Sequence, residues 1–387
     1  MRSRDFTGSQ HGTLLHTIQN YDAYVPAKLP PPLSPTWQLG LKISEADRAL
    51  SELAGVARTL PNPHLFINSF LRREAVLSSR IEGTQASLSD LFFFEAAGEA
   101  KNRSDVQEVA NYVTALNYAI TRLETLPLSI RLLCEIHERL MARVSGDEGR
   151  LTPGEVRRSQ NWIGRPGSNL TEATYVPPPP DEMKQALGEL EKYFHDKFDL
   201  PPLVRLAMIH YQFEAIHPFL DGNGRVGRLL ITLWLIKECL LSQPVLYLSA
   251  FFERTRDEYY RLLLAVSQKG SWHEWIEYFL IGVAEQSKDG IKRANHIIDL
   301  WMSYRQRFQH ERQSVSVLRL LDEIMSVPVI TYRKAEDILG VTARAARQNV
   351  DKLVEAGLVS EVTNRERNKI FIASEIIQVL EAPYDLS

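Results

Sequence analysis

The run His217-Pro218-Phe219-Leu220-Asp221-Gly222-Asn223-Gly224-Arg225-Val226-Gly227-Arg228 brings together a base, a carboxylate, a glycine-bracketed asparagine and two arginines. Such a set is equipped to handle nucleotide phosphate. Histidine serves as a neutral base near physiological pH. An aspartate facing bound phosphates is a normal holder of Mg²⁺, which keeps part of its shell for the nucleotide. Gly222 and Gly224 tolerate positive φ, which lets the backbone turn its N–H groups toward an anion. Arg225 and Arg228 are three residues apart, on one helical face, so both guanidinium groups can reach one polyphosphate.

The elements that must position these groups are helices. From Val226 the apolar residues recur at Leu229, Leu230, Leu233, Trp234 and Ile236, which places the glycine turn at a helix N-terminus, a favourable seat for phosphate. Upstream, Leu206, Ile209, Phe213 and Ile216 form one stripe of a helix over Leu203–Ile216. Gly222, Gly224 and Gly227 also fit the spacing of a dinucleotide-binding loop. That fingerprint needs a preceding strand and an acidic residue about twenty positions on, and the helical period before His217 rejects it. No strand lysine or catalytic loop of the kinase type follows either.

Across the 387 residues, 44% are hydrophobic and 24% charged, and the net charge is -3, as for a globular protein of two or three domains rather than a coat for nucleic acid or acidic membrane. Cys134 and Cys239 sit in apolar helical patterns without a zinc-type cluster, and are expected to be reduced, buried thiols. The polar start Met1-Arg2-Ser3-Arg4-Asp5 lacks the apolar core of a signal peptide, so the expected location is cytoplasmic, with no membrane contact. The first twenty or so residues and the prolines through Pro32 read as an arm. Helices are expected over Ser44–Leu60, with Ser44 as cap, then Pro63–Ile81, Leu88–Phe94, Val106–Leu123, Ile130–Val144 and Asp181–Phe198. His137 on the face of its helix reads as a satisfied core histidine rather than a ligand. Trp162-Ile163 and Tyr175-Val176, separated by a glycine-rich turn and followed by four prolines, predict a β-hairpin. At the end of the second helix, Gly83 acts as stop and leaves Glu82 at the negative end of the helix dipole, where a carboxylate is disfavoured unless a cation meets it.

The central run resembles the HPFxDGNGRxxR signature of the Fic family (filamentation induced by cAMP) at every defined position, and Ser78 to Gly83 is similar to that family's inhibitory pattern. The resemblance implies an all-α, mostly helical Fic fold. It also implies transfer of AMP from ATP, with Mg²⁺ or Mn²⁺, to a Tyr, Thr or Ser hydroxyl of a target protein, the chain itself being one candidate. His217 would be the base, Asp221 the metal ligand and Phe219 an apolar anchor. Gly222, Asn223 and Gly224 would bind phosphates through N–H groups, Asn223 adding its side chain, and Arg225 and Arg228 would hold the β- and γ-phosphates. Tyr259 and Tyr260 would flank adenine. The hairpin would be a flap docking the target's main chain through Trp162, Ile163, Gly164, Thr174, Tyr175 and Val176. Glu82, with Ser78 and Gly83, would block the site by pairing with Arg228. Arginine at position 225 favours AMP transfer over the phosphate transfer of relatives with lysine there.

The expected division is 1–120 for the N-terminal arm and a helical regulatory region carrying 78–83, and 121–285 for the catalytic core, with the flap at about 156–180. A linking helix over 286–313 and a winged helix-turn-helix over 314–387 complete it, the last read from helical and β-prone segments around Gly340 and Thr363–Asn368. That last region carries 9 basic and 11 acidic residues. The winged-helix pattern makes a nucleotide-responsive DNA-binding regulator an alternative function, tempered by a regional charge of -2 that gives no domain-wide basic surface, and removal of AMP by the same site is another. Contact of the winged helix with DNA or with protein, and a homodimer, are left open.

Overall fold

The computed structural model describes all residues except 2, 8–9, 60–62, 99–101, 143–151, 166, 311–313 and 384–387. Pro166 of the expected flap, Val144 of an expected helix end and the last four residues of the expected winged helix therefore lie outside the described residues. The described chain is mostly helical and forms two compact units: residues 1–51, 111–241 and 248–285, and residues 52–110, 242–247 and 286–387. This cuts across the division expected from sequence, because 52–110 packs with the C-terminal residues instead of forming a region of its own.

In chain order the elements are strands β1 (Gly12–His16) and β2 (Asp22–Pro26), then helices α1 (Trp37–Thr59), α2 (Pro63–Ile81), α3 (Leu88–Ala97), α4 (Arg103–Arg122), α5 (Ile130–Leu140), α6 (Pro180–His195), α7 (Pro202–Ile216) and α8 (Asn223–Lys237). They continue with α9 (Ser249–Arg254), α10 (Arg256–Lys269), α11 (Trp272–His310), α12 (Val315–Ser326), β3 (Val329–Thr331), α13 (Tyr332–Leu339), α14 (Ala343–Glu355), β4 (Ser360–Glu361), β5 (Ile370–Ile372) and α15 (Ser374–Glu381). Helices α1, α4 and α11 contribute residues to both units. No described helix is long and apolar enough to cross a membrane.

The first unit is built around α7 and α8. Nearly every residue of both helices is buried, so neither shows a polar face. Helices α6 and α10 and strand β2 pack on α7. His210, in the middle of α7, is enclosed by Phe252, Tyr259, Trp275 and Phe279. It accepts from the Tyr259 hydroxyl at 2.8 Å and donates to the Gly227 carbonyl at 3.1 Å, which fixes one neutral tautomer. Burial pushes its pKa down to about 3.

Three expectations are corrected here. The N-terminal arm contains the antiparallel hairpin β1–β2, paired from Gly12↔Pro26 to His16↔Asp22, with Tyr24 buried against Tyr175. Helix α1 begins at Trp37, because the Thr36 hydroxyl accepts from the Leu39 N–H and displaces Ser44 as cap. Cys239 is exposed, since it lies past the end of α8 with φ 55°; Cys134 is half-buried, and burial raises its pKa to about 11.

In the second unit, α12, β3, α13, α14, β4 and β5 follow one another, and the sheet is antiparallel in the order β3-β5-β4. Helix α2 packs on α12, and α3 on the β3–β5 face. Ser69 of α2 donates to the Ser326 carbonyl at 2.8 Å, and Asn68 donates to the Ser326 hydroxyl at 2.9 Å, so α2 satisfies the unpaired C-terminal end of α12.

Candidate active site

Helix α7 stops at His217, which adopts the left-handed conformation, φ 50° and ψ 62°, while its N–H still bonds to Phe213. A residue with a β-carbon pays about 1–2 kcal/mol there. The surroundings hold it in place. The His217 carbonyl receives Nε of Arg157 at 2.9 Å and Nδ2 of Asn161 at 3.4 Å. Arg157 is wholly buried, and its remaining guanidinium N–H groups donate to the carbonyls of Ser159 and Pro178, while its backbone N–H donates to that of Pro218 at 2.8 Å. Desolvation lowers its pKa only to about 10, so it stays charged at neutral pH. A buried arginine thus pins the backbone at the histidine, through its guanidinium, and just after it, through its main-chain N–H.

The following loop is fixed as tightly. The Asn223 carboxamide accepts from the Phe219 N–H and donates to the Phe219 carbonyl, both at 2.8 Å, and Asn161 donates to that carbonyl as well. Phe219 stacks on His137, ring centroids 3.9 Å apart and nearly parallel. His137 accepts the Gly154 N–H on Nδ1 at 2.9 Å, so its Nε2 carries the proton and donates to the Asp221 carbonyl at 3.0 Å. Burial lowers its pKa to about 4, which keeps that neutral tautomer in place.

On this frame the reactive groups are arranged. Nδ1 of His217 lies 3.3 Å from the Glu214 carbonyl, which can only accept, so the proton sits on Nδ1 and Nε2 carries the lone pair. Asp221 is 54% exposed at the mouth of the site; its Oδ1 accepts the Gly222 N–H at 2.6 Å and lies 3.8 Å from Nη2 of Arg225. Gly222, φ 77°, is the N-cap of α8, and the first bond of the helix ladder runs from the Val226 N–H to its carbonyl at 3.0 Å. The N–H groups of Asn223, Gly224 and Arg225 precede that ladder and form the positive end of the helix. Arg225 and Arg228 are both buried along α8. Gly227 lets α7 and α8 close up, since a β-carbon there would lie 2.3 Å from Glu214 Oε1.

Among the described residues no cluster of three or more His, Cys, Asp or Glu side chains is suited to a metal. Asp221 alone, exposed beside the helix end, fits a cation such as Mg²⁺ that completes its shell from phosphate oxygens and water.

The structure brings His217, Asp221, Gly222, Asn223, Gly224, Arg225 and Arg228 together at one helix end. It changes the part of Asn223, whose carboxamide is taken up by Phe219, leaving the backbone N–H to face a ligand. It also removes Tyr259 from the candidate adenine contacts, because that residue is fully buried on His210; Tyr260 is 39% exposed, with Arg256 over its ring. Ser267, on the same helix, is buried and bonded to Tyr211.

The expected hairpin is, among the described residues, a single antiparallel bridge between Ile163 and Tyr175, with a short 3-10 turn over Leu170–Glu172 between them. Trp162 and Ile163 are exposed and so is Thr174, and Gly164 lies against Ser168. Tyr175 and Val176 turn inward: the Tyr175 hydroxyl donates to Ala215 at 2.8 Å, and the Val176 carbonyl accepts from Tyr24 of β2. In the other unit, Ser78 is buried on α2 and Glu82 is exposed just past its end, where Gly83 has φ 110°.

Arg157 and Asn161 were not legible as site residues. Nothing local marks Arg157 apart from Arg158 beside it, and the sequence offers no sign that its guanidinium reaches the distant carbonyls of Pro178 and His217.

Comparison with known proteins bears on the same segments. Residues 41–121 match the Fic/DOC family N-terminal model, and residues 127–235 the Fic/DOC family model. The chain is 30% identical over 164 residues to the protein adenylyltransferase Fic of Aedes aegypti, and 29% identical over 163 residues to that of Drosophila willistoni. Each match takes in 41% of this chain and 30% of the relative, so the chain spans less than a third of these relatives' length. In fold it is similar to a Fic family protein from Desulfovibrio desulfuricans, with TM-score 0.56 and 21% identity over 89% of this chain and 98% of that one. It is also similar to Fic-1 of C. elegans, with TM-score 0.51 and 22% identity over 68% of this chain and 73% of that one. The signature run thus sits at the α7–α8 junction inside the second of the two models, and residues 41–121 and 127–235 carry, in order, the Fic/DOC family N-terminal and Fic/DOC family regions.

Proposed function

We propose that this site transfers AMP from ATP to a hydroxyl of a protein. The observation that carries the reading is the α7–α8 junction, where a base with its lone pair on Nε2, a carboxylate and a helix N-terminus are held within one rigid turn. The hydroxyl oxygen attacks the α-phosphorus, its proton passes to Nε2 of His217, and the bond from the α-phosphorus to the bridging oxygen breaks to release pyrophosphate. The N–H groups of Asn223, Gly224 and Arg225 and the guanidinium groups of Arg225 and Arg228 orient the phosphates and meet the charge that builds on them. Asp221 would hold a Mg²⁺ ion, which when bound neutralises phosphate charge. The exposed Trp162 and Ile163 would line the docking edge for the target's main chain, and Tyr260 remains as an adenine contact.

Glu82 is read as the brake on this reaction. Support comes from the Ser78–Gly83 resemblance and from the position of its carboxylate beyond the C-terminal end of α2, where the helix dipole opposes it. Pairing with Arg228 would take that guanidinium from the γ-phosphate. Mass spectrometry of the Glu82→Gly protein after incubation with ATP and Mg²⁺ should show one added AMP, at a level well above the unaltered chain, and His217→Ala in that background should abolish it. AMP incorporation that survives His217→Ala would overturn the base assignment. Loss of AMP from a premodified protein, without net incorporation, would assign the opposite direction to the same site.

A further inference from the structure

Residues 314–387 carry 9 basic and 11 acidic side chains, yet the fold sorts them by place. Arg333 and Lys334 open α13, Arg344 and Arg347 lie in the first half of α14, and Arg365, Arg367 and Lys369 stand in the connection from β4 to β5. Segments 332–335, 342–349 and 363–369 together hold seven basic residues against one acidic residue, Glu366, a local charge of +6. The rest of 314–387 holds two basic and ten acidic residues.

The three segments meet at one end of the small sheet. Ile370, which follows Lys369, is paired with Thr331, the N-cap of α13. The rings of Tyr332 and Phe371 lie 4.9 Å apart, and the Arg347 guanidinium sits over Tyr332 at 4.9 Å. Helix α14 buries Ala346, Val350 and Leu353 and turns Ala343, Arg344, Arg347 and Gln348 outward. Left-handed Asn364 and Asn368 shape the exposed β4–β5 connection. Between the cations the exposed residues are Glu366 and the small or amide-bearing Thr342, Ala343, Gln348, Asn364 and Asn368, and Lys369 lies 3.9 Å from Glu361 of β4. A protein interface would be expected to centre on aromatic anchors and to be poor in lysine.

We infer that this face binds duplex DNA, with the first half of α14 in the major groove and the β4–β5 connection along the adjacent backbone. The inference is independent of AMP transfer, because every residue it uses lies in 331–371. It also removes the objection raised by overall charge, since phosphate responds to the local field rather than to the sum over a domain. The cations supply affinity without sequence information, while Gln348 and Arg344 are the side chains placed to read base edges.

The test is fluorescence anisotropy of the full chain with a labelled duplex of about 30 base pairs at about 50 to 200 mM salt. Affinity should fall with salt along a log–log line, and Arg344→Ala and Arg367→Ala should each weaken binding and remove about one unit of slope. Arg319→Ala, a basic residue of α12 outside the face, should leave both unchanged. Thermal melts of the variants verify that each folds. Absence of binding at the lowest salt, or binding that neither variant alters, overturns the inference. If the two variants instead abolish self-association of the chain in sedimentation, the face belongs to a second copy and the DNA assignment fails.

Discussion

His217 is the residue on which the site depends, and its left-handed backbone is maintained by a buried arginine that touches no reacting atom. Arg157 is a positioning residue. Replacement by Met removes three of its four donations to main-chain carbonyls, those of the guanidinium to His217, Ser159 and Pro178, and leaves the backbone N–H on Pro218. In the Glu82→Gly background, Arg157→Met should lower kcat about 10²-fold with little change in KM for ATP, as a displacement near 1 Å at a reacting group does. Arg157→Lys should recover part of it; a loss confined to KM would count against a positioning role. The same logic applies to His137, whose Nε2–H bond to Asp221 orients the loop without requiring charge.

At the scale of elements, close approach of α7 and α8 sets the distance between base and phosphate cradle. Gly227 is the contact that permits it, and Gly227→Ala should destabilise the chain by about 1–3 kcal/mol, because a β-carbon would overlap the Glu214 carboxylate in a packed interior. A thermal melt reads this directly, and an unchanged midpoint would show that Glu214 moves aside freely. Helix α2 is held by the end of α12 through Ser69, and Ser69→Val leaves the Met325 and Ser326 carbonyls without that hydroxyl. Its expected effect is a loss of about 1–3 kcal/mol, the range for a buried acceptor losing its partner.

For the whole molecule, the buried histidines set a dependence of stability on pH. His137 and His210 have folded pKa values lowered to about 4 and about 3 from 6.5, so the folded state resists their protonation. Their contribution is fully present above pH 6.5, where both states are neutral. It is lost as pH falls from there toward the folded values, because the unfolded chain takes up protons first. On the scale of 1.36 kcal/mol per pKa unit, the full shift is worth roughly 3 kcal/mol for His137 and roughly 5 kcal/mol for His210. Melting temperature should therefore drop between pH 7 and pH 4.5, and His137→Gln, which cannot protonate, should flatten that drop; an equal slope in the variant would show that His137 is not the group responsible.

The sequence by itself determined the chemistry-bearing run, the helices on either side of it and the mostly helical class, because a helical period and a glycine turn are local properties of the chain. It missed the β1–β2 hairpin, although Gly12–His16 and Asp22–Pro26 are short enough to pass for an arm, since their pairing becomes worthwhile only when Tyr24 is buried against Tyr175. It misplaced Tyr259, whose hydroxyl is matched by a histidine forty-nine positions earlier. Tertiary structure alone decided that Arg157, Asn161 and His137 hold the His217–Gly222 loop, and that α2 shares a unit with α12. The physical reason is the same in each case: a carbonyl acceptor can be satisfied by any donor the fold brings near, so the identity of the partner is fixed by packing and leaves no pattern in the sequence.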